Sequence, residues 1–234
     1  MRGDANGAGP LSPVGLVPAA GRGERLQPLS GSKEVLEIAG RPVMDYVVER
    51  MRAAQPSEIR VVTRPDKDDV VDRARHLGAR VIVGTPGSLS ESLLLGLAGL
   101  DSRRTVLIGL PDSLWQPEDG FAKLVAQLTD GADVVLGLFR SREPERCDVV
   151  TVDSEGRVLS VEPKPQAPRS HLVWGCLAAR AGALAGLSGH DEPGDLFDLL
   201  ARSGRVRGVD LGTEFVDIGT KDALRRARET LSTQ

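Results

Sequence analysis

The sequence predicts an α/β fold, a mainly parallel sheet with helices on both faces, three layers in all. Three observations carry that prediction. Between Val14 and Phe139, short β-branched runs alternate with amphipathic helical stretches. The run Thr105–Leu110 is apolar almost throughout, as expected of a strand buried on both faces. The first run, Val14–Val17, stops abruptly at a glycine-rich basic loop within VGLVPAAGRGER (Val14–Arg25). Such a loop, at the carboxyl end of a strand, is where α/β proteins hold phosphates: glycine frees backbone N–H groups for an anion, and Arg or Lys balances the charge.

The elements follow in order. Val14–Pro18 reads as the first strand. Met44, Val47, Val48 and Met51 recur at helical spacing and mark an amphipathic helix. Ile59–Thr63 is the second strand. Val70, Val71, Ala74 and Leu77 form the next helical stripe, closed by Gly78. Arg80–Val83 is a short third strand, and Ser88 with Glu91 spells a capping box ahead of a Leu93–Leu100 helix. Thr105–Leu110 is the fourth strand and ends at Pro111-Asp112. Pro117 suits a first helical position, with Phe121, Leu124, Val125 and Leu128 as the buried stripe. Asp133–Phe139 is the fifth strand.

Beyond it the pattern changes. Val149–Val152 and Val158–Val161 flank Asp153-Ser154-Glu155-Gly156 and read as a hairpin. Leu172–Leu177 is a further strand, separated from the hairpin by the Pro-rich segment Glu162–Pro168. This half is antiparallel in character, which suits a small substrate lobe better than continued winding. Asp195–Ala201 reads as a helix, Val206–Leu211 as a strand, and Thr220 as the cap of a last helix carrying Leu224, Ala227 and Leu231.

Composition narrows the function. The 234 residues suit one domain with an adequate core, and 40% hydrophobic with 27% charged residues is ordinary for a soluble globular protein. A net charge of −3 and 3% aromatics offer neither a basic field nor stacking platforms for nucleic acid. No stretch has the length and apolarity of a membrane span. The opening MRGDANGAGPLS lacks the apolar centre of a signal peptide, so residues 1–13 read as a disordered lead-in and Arg2-Gly3-Asp4 as incidental. Cys147 and Cys176 are far apart and read as reduced thiols of a cytoplasmic protein, and His76, His171 and His190 have no metal spacing. Asp66-Lys67-Asp68-Asp69 reads as a solvated helix start, and Arg225-Arg226 with Arg228 as a solvated helix face.

The loop Gly21-Arg22-Gly23-Glu24-Arg25 lacks the third glycine of a dinucleotide fingerprint and the Gly-Lys-Ser/Thr ending of a P-loop. Lys33 lies close enough in sequence to return to the same phosphate. Asp112, directly after the longest buried run, stands where α/β chemistry usually sits.

The run VPAAGRGERLQPLSGSKEVLEIAGRPVMDYVVE resembles the opening of the sugar-phosphate nucleotidyltransferases, through Gly21, Gly23, Arg25, Pro28, Lys33 and Gly40-Arg41-Pro42. Its Pro-Ala-Ala-Gly start and Lys33-Glu34 are similar to the uridylyltransferase branch, and the run from Pro111 to Phe121 is similar to thymidylyltransferases. Later segments resemble further family elements in the expected order: Asp112, Glu162-Pro163-Lys164-Pro165, Gly175, and Glu214–Thr220. The resemblance spans residues 14 to about 226. It implies a Rossmann-like, GT-A-like nucleotidyltransferase fold over residues 14–234, with residues 14–140 binding nucleotide and 141–234 binding the sugar phosphate. It implies Arg25 and Lys33 as catalytic residues and Ala20, Gly21, Gly23 and Ser88 on the nucleotide. It implies Asp112 and Asp217 as ligands of Mg²⁺, and Glu162, Lys164 and Gly175 at the sugar phosphate. The substrates implied are a nucleoside triphosphate, dTTP or UTP, and a sugar 1-phosphate, glucose 1-phosphate first. Two other readings stay open here: a cytidylyltransferase for another phosphate acceptor, and a nucleotide-binding regulatory subunit without catalysis. Related folds often pair, which leaves a homo-oligomer open, and no residue names an interface.

Overall fold

In the computed structural model, residues 12–129, 131–212 and 215–231 are described. The expected lead-in up to residue 11, with Arg2-Gly3-Asp4, lies outside them, as does Glu214. The first half runs β1 (Val14–Pro18), a small hairpin of β2 (Glu37–Ile38) and β3 (Arg41–Pro42), α1 (Val43–Ala53), β4 (Glu58–Thr63), α2 (Asp68–His76), β5 (Arg80–Val83), α3 (Leu89–Leu97), β6 (Thr105–Gly109), β7 (Ser113–Trp115) and α4 (Gly120–Ala126). The second half runs β8 (Val134–Arg140), β9 (Val149–Val152), β10 (Val158–Glu162), β11 (Leu172–Arg180), α5 (Pro193–Arg202), β12 (Val206–Gly212), β13 (Phe215–Asp217) and α6 (Lys221–Leu231).

A nine-stranded sheet forms the middle layer. Strands β5, β4, β1 and β6 lie side by side in parallel, and β11 adds to β6 in the opposite direction. Strand β8 pairs antiparallel with β11, and β12 pairs parallel with β8. The β9–β10 hairpin joins at Val173, beyond the end of β6. The later strands expected to form a lobe of their own are thus hydrogen-bonded into the main sheet. The long strand β11 makes this happen, because it is buried from Val173 to Ala179 and serves β6 on one edge and β8 on the other.

Adjacent residues divide between the two faces, as the two-residue period of a strand requires. Leu16, Val62, Ile108 and Val134 join Leu93 of α3 and Phe197 of α5 on one side. Val17, Val61, Leu107 and Val135 join Val47 and Met51 of α1, Val70 of α2 and Phe121 of α4 on the other. The chain therefore changes face between α2 and α3, which places a topological switch point between β1 and β6. In open α/β sheets, ligands bind at the carboxyl ends of strands at such a point. Among the described residues no helix is long and apolar enough to cross a membrane.

Three local expectations shift. Helix α3 begins at Leu89 and stops at Leu97, because Ala98 turns to an extended conformation and Gly99 adopts φ 75°. Pro117 is not helical: its carbonyl accepts from Gly120 N, and α4 starts at Gly120, where the Trp115 ring leaves no room for a side chain. The short strands β7 and β13 had no periodicity to announce them, since each is only three residues long.

Gly109 shows how closely the helical layer sits on the sheet. A Cβ there would lie 2.3 Å from Val47 Cγ2 and 3.0 Å from Phe121 Cζ. Valine is stiff at χ1 and cannot swing aside. Gly109→Ala is expected to cost about 1–3 kcal/mol through overpacking, read as a lower urea midpoint with an unchanged m-value.

Candidate active site

A cavity of about 810 Å³ opens at the carboxyl edge of β1 and β6. Its floor is the loop after β1, and its wall includes Pro86–Leu89 ahead of α3. The loop bends at Gly23, φ 66°, where a side chain would be strained. The bare Gly21 and Gly23 also let the Lys33 side chain lie against the loop, since Cβ positions built on them fall 3.6–3.9 Å from its stem. Ser88 caps α3 by accepting from Glu91 N at 3.1 Å, as the capping box predicts, and it also lines the cavity.

Lys33 and Asp112 form an ion pair in the cavity wall. Burial alone would lower the Lys33 pKa. The Asp112 carboxylate outweighs it through charge and hydrogen bond, helped by Glu34 and Asp217, so Lys33 stands above its ordinary value and is charged at neutral pH.

Asp217 is brought to Asp112 by the β7–β13 pair. Asp217 lies opposite Ser113, and Ile218 N donates to Asp112 O at 2.8 Å. Its carboxyl is pushed up to about 6, first by burial and then by the Asp112 charge, with Lys33 and Arg25 pulling the other way. Two carboxylates, one close enough to the other to raise its pKa, suit a hard divalent cation. Among the described residues no group of three or more His, Cys, Asp or Glu side chains gathers for a metal. A cation held here by Asp112 and Asp217 would therefore complete its shell with phosphate oxygens and water, which is how Mg²⁺ is usually bound.

Of the residues singled out in the sequence, Ala20, Gly21, Gly23, Arg25, Lys33, Ser88, Asp112, Lys164 and Asp217 all line this one cavity. Lys164 adopts φ 42°, and its ammonium is paired with Glu192. Glu162 and Gly175 do not line it. Glu162 ends β10 with its side chain exposed. Gly175 is the bulge of β11 against β8, and a Cβ on it would fall 2.4 Å from the Phe215 ring. Its bareness lets Phe215 stack on Phe139 with centroids 5.1 Å apart, which seats β13 and so places Asp217.

Several participants escaped the sequence reading. Lys67, 8% exposed, is no solvated helix start: its ammonium donates to both oxygens of the fully buried Glu34 at 2.8 Å and to Ala19 O at 3.1 Å. Asp69 accepts from Ser32 N and Ser32 Oγ, each at 2.7 Å. The start of α2 thus grips both neighbours of Lys33. The signal was present as a Lys inside an acidic run, but only the fold brings it under the loop. At the other end of the cavity, Asp148 is 6% exposed and accepts from Trp174 Nε1 at 3.0 Å. Burial pushes its carboxyl up to about 6, and nearby Glu192 and Asp195 add to that.

Comparison with known proteins places the chain in a family and a fold. Residues 15–202 match the family model of the MobA-like NTP transferase domain. A glucose-1-phosphate thymidylyltransferase of Neisseria gonorrhoeae is 28% identical over 250 residues, covering 94% of this chain and 82% of that protein. One from Streptomyces griseus is 30% identical over 172 residues, covering 68% of this chain and 46% of that one. A crystal structure of UDP-glucose pyrophosphorylase complexed with UDP-glucose superposes with a TM-score of 0.80 at 19% identity, covering 95% of this chain and 99% of the other. That last likeness is one of fold.

Two outcomes follow from the buried charges. Lys67→Met leaves Glu34 buried without its partner and should destabilise the protein by about 3–5 kcal/mol. Adding Glu34→Gln to that variant should recover part of the loss in the same denaturation curves. Asp148 has a folded pKa raised above its ordinary 3.8, so its ionisation costs stability: nothing below pH 4, increasingly through pH 6, fully above. Asp148→Asn, which keeps an oxygen for Trp174, should therefore raise the melting temperature by a few degrees at pH 8, on the order of 1–3 kcal/mol, and by little at pH 4.

Proposed function

The chain belongs to the family of the MobA-like NTP transferase domain, and we propose that it joins a nucleoside triphosphate to a sugar 1-phosphate, giving a nucleotide sugar and pyrophosphate. The observation that carries this reading is the convergence of Arg25, Lys33, Asp112, Asp217 and Lys164 on one cavity at the switch point of the sheet. The named thymidylyltransferase relatives support glucose 1-phosphate as the first acceptor to test and dTTP as donor, with UTP as the second donor of this reading. In this reading residues 14–140 supply the nucleotide side and residues 141–234 the acceptor side.

The reaction is an in-line displacement. A phosphate oxygen of the acceptor attacks the α-phosphorus, the bond from that phosphorus to the bridging oxygen of the β-phosphate breaks, and pyrophosphate leaves. No protein nucleophile is needed, so catalysis is positioning and charge stabilisation. The amides of Gly21 and Gly23 and the Arg25 guanidinium take the triphosphate, and Ala20 and Ser88 flank the nucleoside. Lys33, held charged beside Asp112, stabilises the charge that grows between the α-phosphate and the leaving group. Lys164 takes the acceptor phosphate by leaving Glu192. Bound Mg²⁺, with Asp112 and Asp217 as its protein ligands, would supply Lewis-acid neutralisation of the phosphate oxygens. Gly175, outside the cavity wall, acts through Phe215 by seating β13 and with it Asp217.

Pyrophosphate release with Mg²⁺, across a grid of nucleoside triphosphates and sugar 1-phosphates, tests this. Release should require both substrates. Asp112→Asn should lower turnover about a hundredfold or more while the melting temperature moves by only a few degrees. Wild-type turnover in that variant would remove Asp112 from the mechanism.

A further inference from the structure

A second cavity, about 450 Å³, is also lined by the glycine loop and shares Arg22, Gly23, Glu24, Lys33 and Arg64 with the first. Arg64 follows directly on β4, so the strand beside β1 delivers it to the same carboxyl edge. Its side chain is only 15% exposed, yet its guanidinium makes no hydrogen bond among the described residues. Among the described residues its one ion pair is with Asp66, 3.4 Å from Nε and itself 74% exposed.

Other sheltered arginines of this chain are engaged. Arg60 donates to Glu58 and to the carbonyls of Gly96 and Ala98, and Arg73 donates to Asp45. Around the second cavity, Lys33 is held by Asp112 and Lys67 by Glu34. Arg22 and Glu24 are exposed on the loop, where water screens them. Arg64 is therefore the sheltered cation there whose hydrogen-bonding edge is unclaimed. A guanidinium fork with free N–H groups, beside a loop of bare amides, is suited to the oxygens of a phosphate chain.

We propose that this second cavity seats the β- and γ-phosphates, and so the departing pyrophosphate, with Arg64 as their anchor. This rests on the reading of the first cavity as the nucleotidyl-transfer site. The α-phosphate stays between Lys33 and the loop, and the chain of phosphates passes over Gly23 toward Arg64, which lets go of Asp66. After transfer, pyrophosphate remains bound to Arg64 until it leaves through the second cavity.

The reverse reaction isolates this contact. A pyrophosphate oxygen attacks the nucleotidyl phosphorus of a nucleotide sugar, the bond to the sugar-phosphate oxygen breaks, and sugar 1-phosphate leaves. Arg64→Ala should raise KM for pyrophosphate about tenfold or more and leave KM for the nucleotide sugar within about twofold. Arg64→Lys should recover part of the loss, since it restores the charge without the fork. Calorimetric titration of Mg²⁺-pyrophosphate into wild type and the two variants gives the same comparison without turnover. Affinity for pyrophosphate that is unchanged in Arg64→Ala would overturn the assignment, as would equal losses for both substrates. A wild type that binds pyrophosphate through Arg64 but forms no triphosphate from any nucleotide sugar would instead overturn the proposed reaction and leave the pyrophosphate seat standing.

Discussion

The candidate active site hangs on one buried ion pair. Lys67 and Glu34 meet with both carboxylate oxygens at 2.8 Å, in a place where Glu34 has no contact with water. Taking two charges out of water is costly, and such a pair persists only where geometry and further hydrogen bonds are good. Here Ala19 O supplies the further acceptor at 3.1 Å. One ammonium thereby ties the end of β1, the segment carrying Lys33 and the start of α2 into a unit. With Asp69 holding Ser32 on the other side, Lys33 has little freedom except along its own side chain. A cation meant to stabilise developing charge gains most when its position is set in advance.

A second constraint acts on the carboxylates. Asp112 and Asp217 come from segments more than a hundred residues apart and are brought together by three-residue strands. Such short strands are weak alone. They are held by an aromatic group, in which Phe121 meets Trp115, Trp115 meets Phe139 and Phe139 meets Phe215, and by the missing side chain at Gly175. The raised pKa of Asp217 is the electrostatic cost of that arrangement, and it is the kind of cost a divalent cation and a phosphate chain relieve.

Much of this was legible before any coordinates. The alternation of β-branched runs and helical stripes located β1, α1, β4, α2, β5, β6 and β8, because periodicity in strands and helices is a local property. The glycine loop and Asp112 stood out because each follows a strand that hydrophobicity reveals, and Lys33 because it lies close in sequence to the loop. Lys67, Arg64 and Asp148 did not stand out. Lys67 is hidden in an acidic run, Arg64 stands between Thr63 and Pro65 and Asp148 between Cys147 and Val149, and burial of a charge depends on what the fold lays over it. Gly175 was visible as a glycine, but whether it faces a ligand or a phenyl ring depends on β13, a strand too short to show a period.

What the sequence alone determined is therefore the α/β class, the order of the elements and the phosphate-binding character of the first loop, all consequences of patterns within about twenty residues. The tertiary structure decided the rest. It merged the later antiparallel strands into one sheet through β11, whose two edges are satisfied only by partners far away in the chain. It decided which charges are held by strong hydrogen-bonded pairs and which are not, because the value of a charge depends on burial and on its nearest opposite charge. Lys67 is therefore a structural pin, Lys33 a held cation beside Asp112, and Arg64 a sheltered guanidinium facing open space, although all three are simply basic residues when read along the chain.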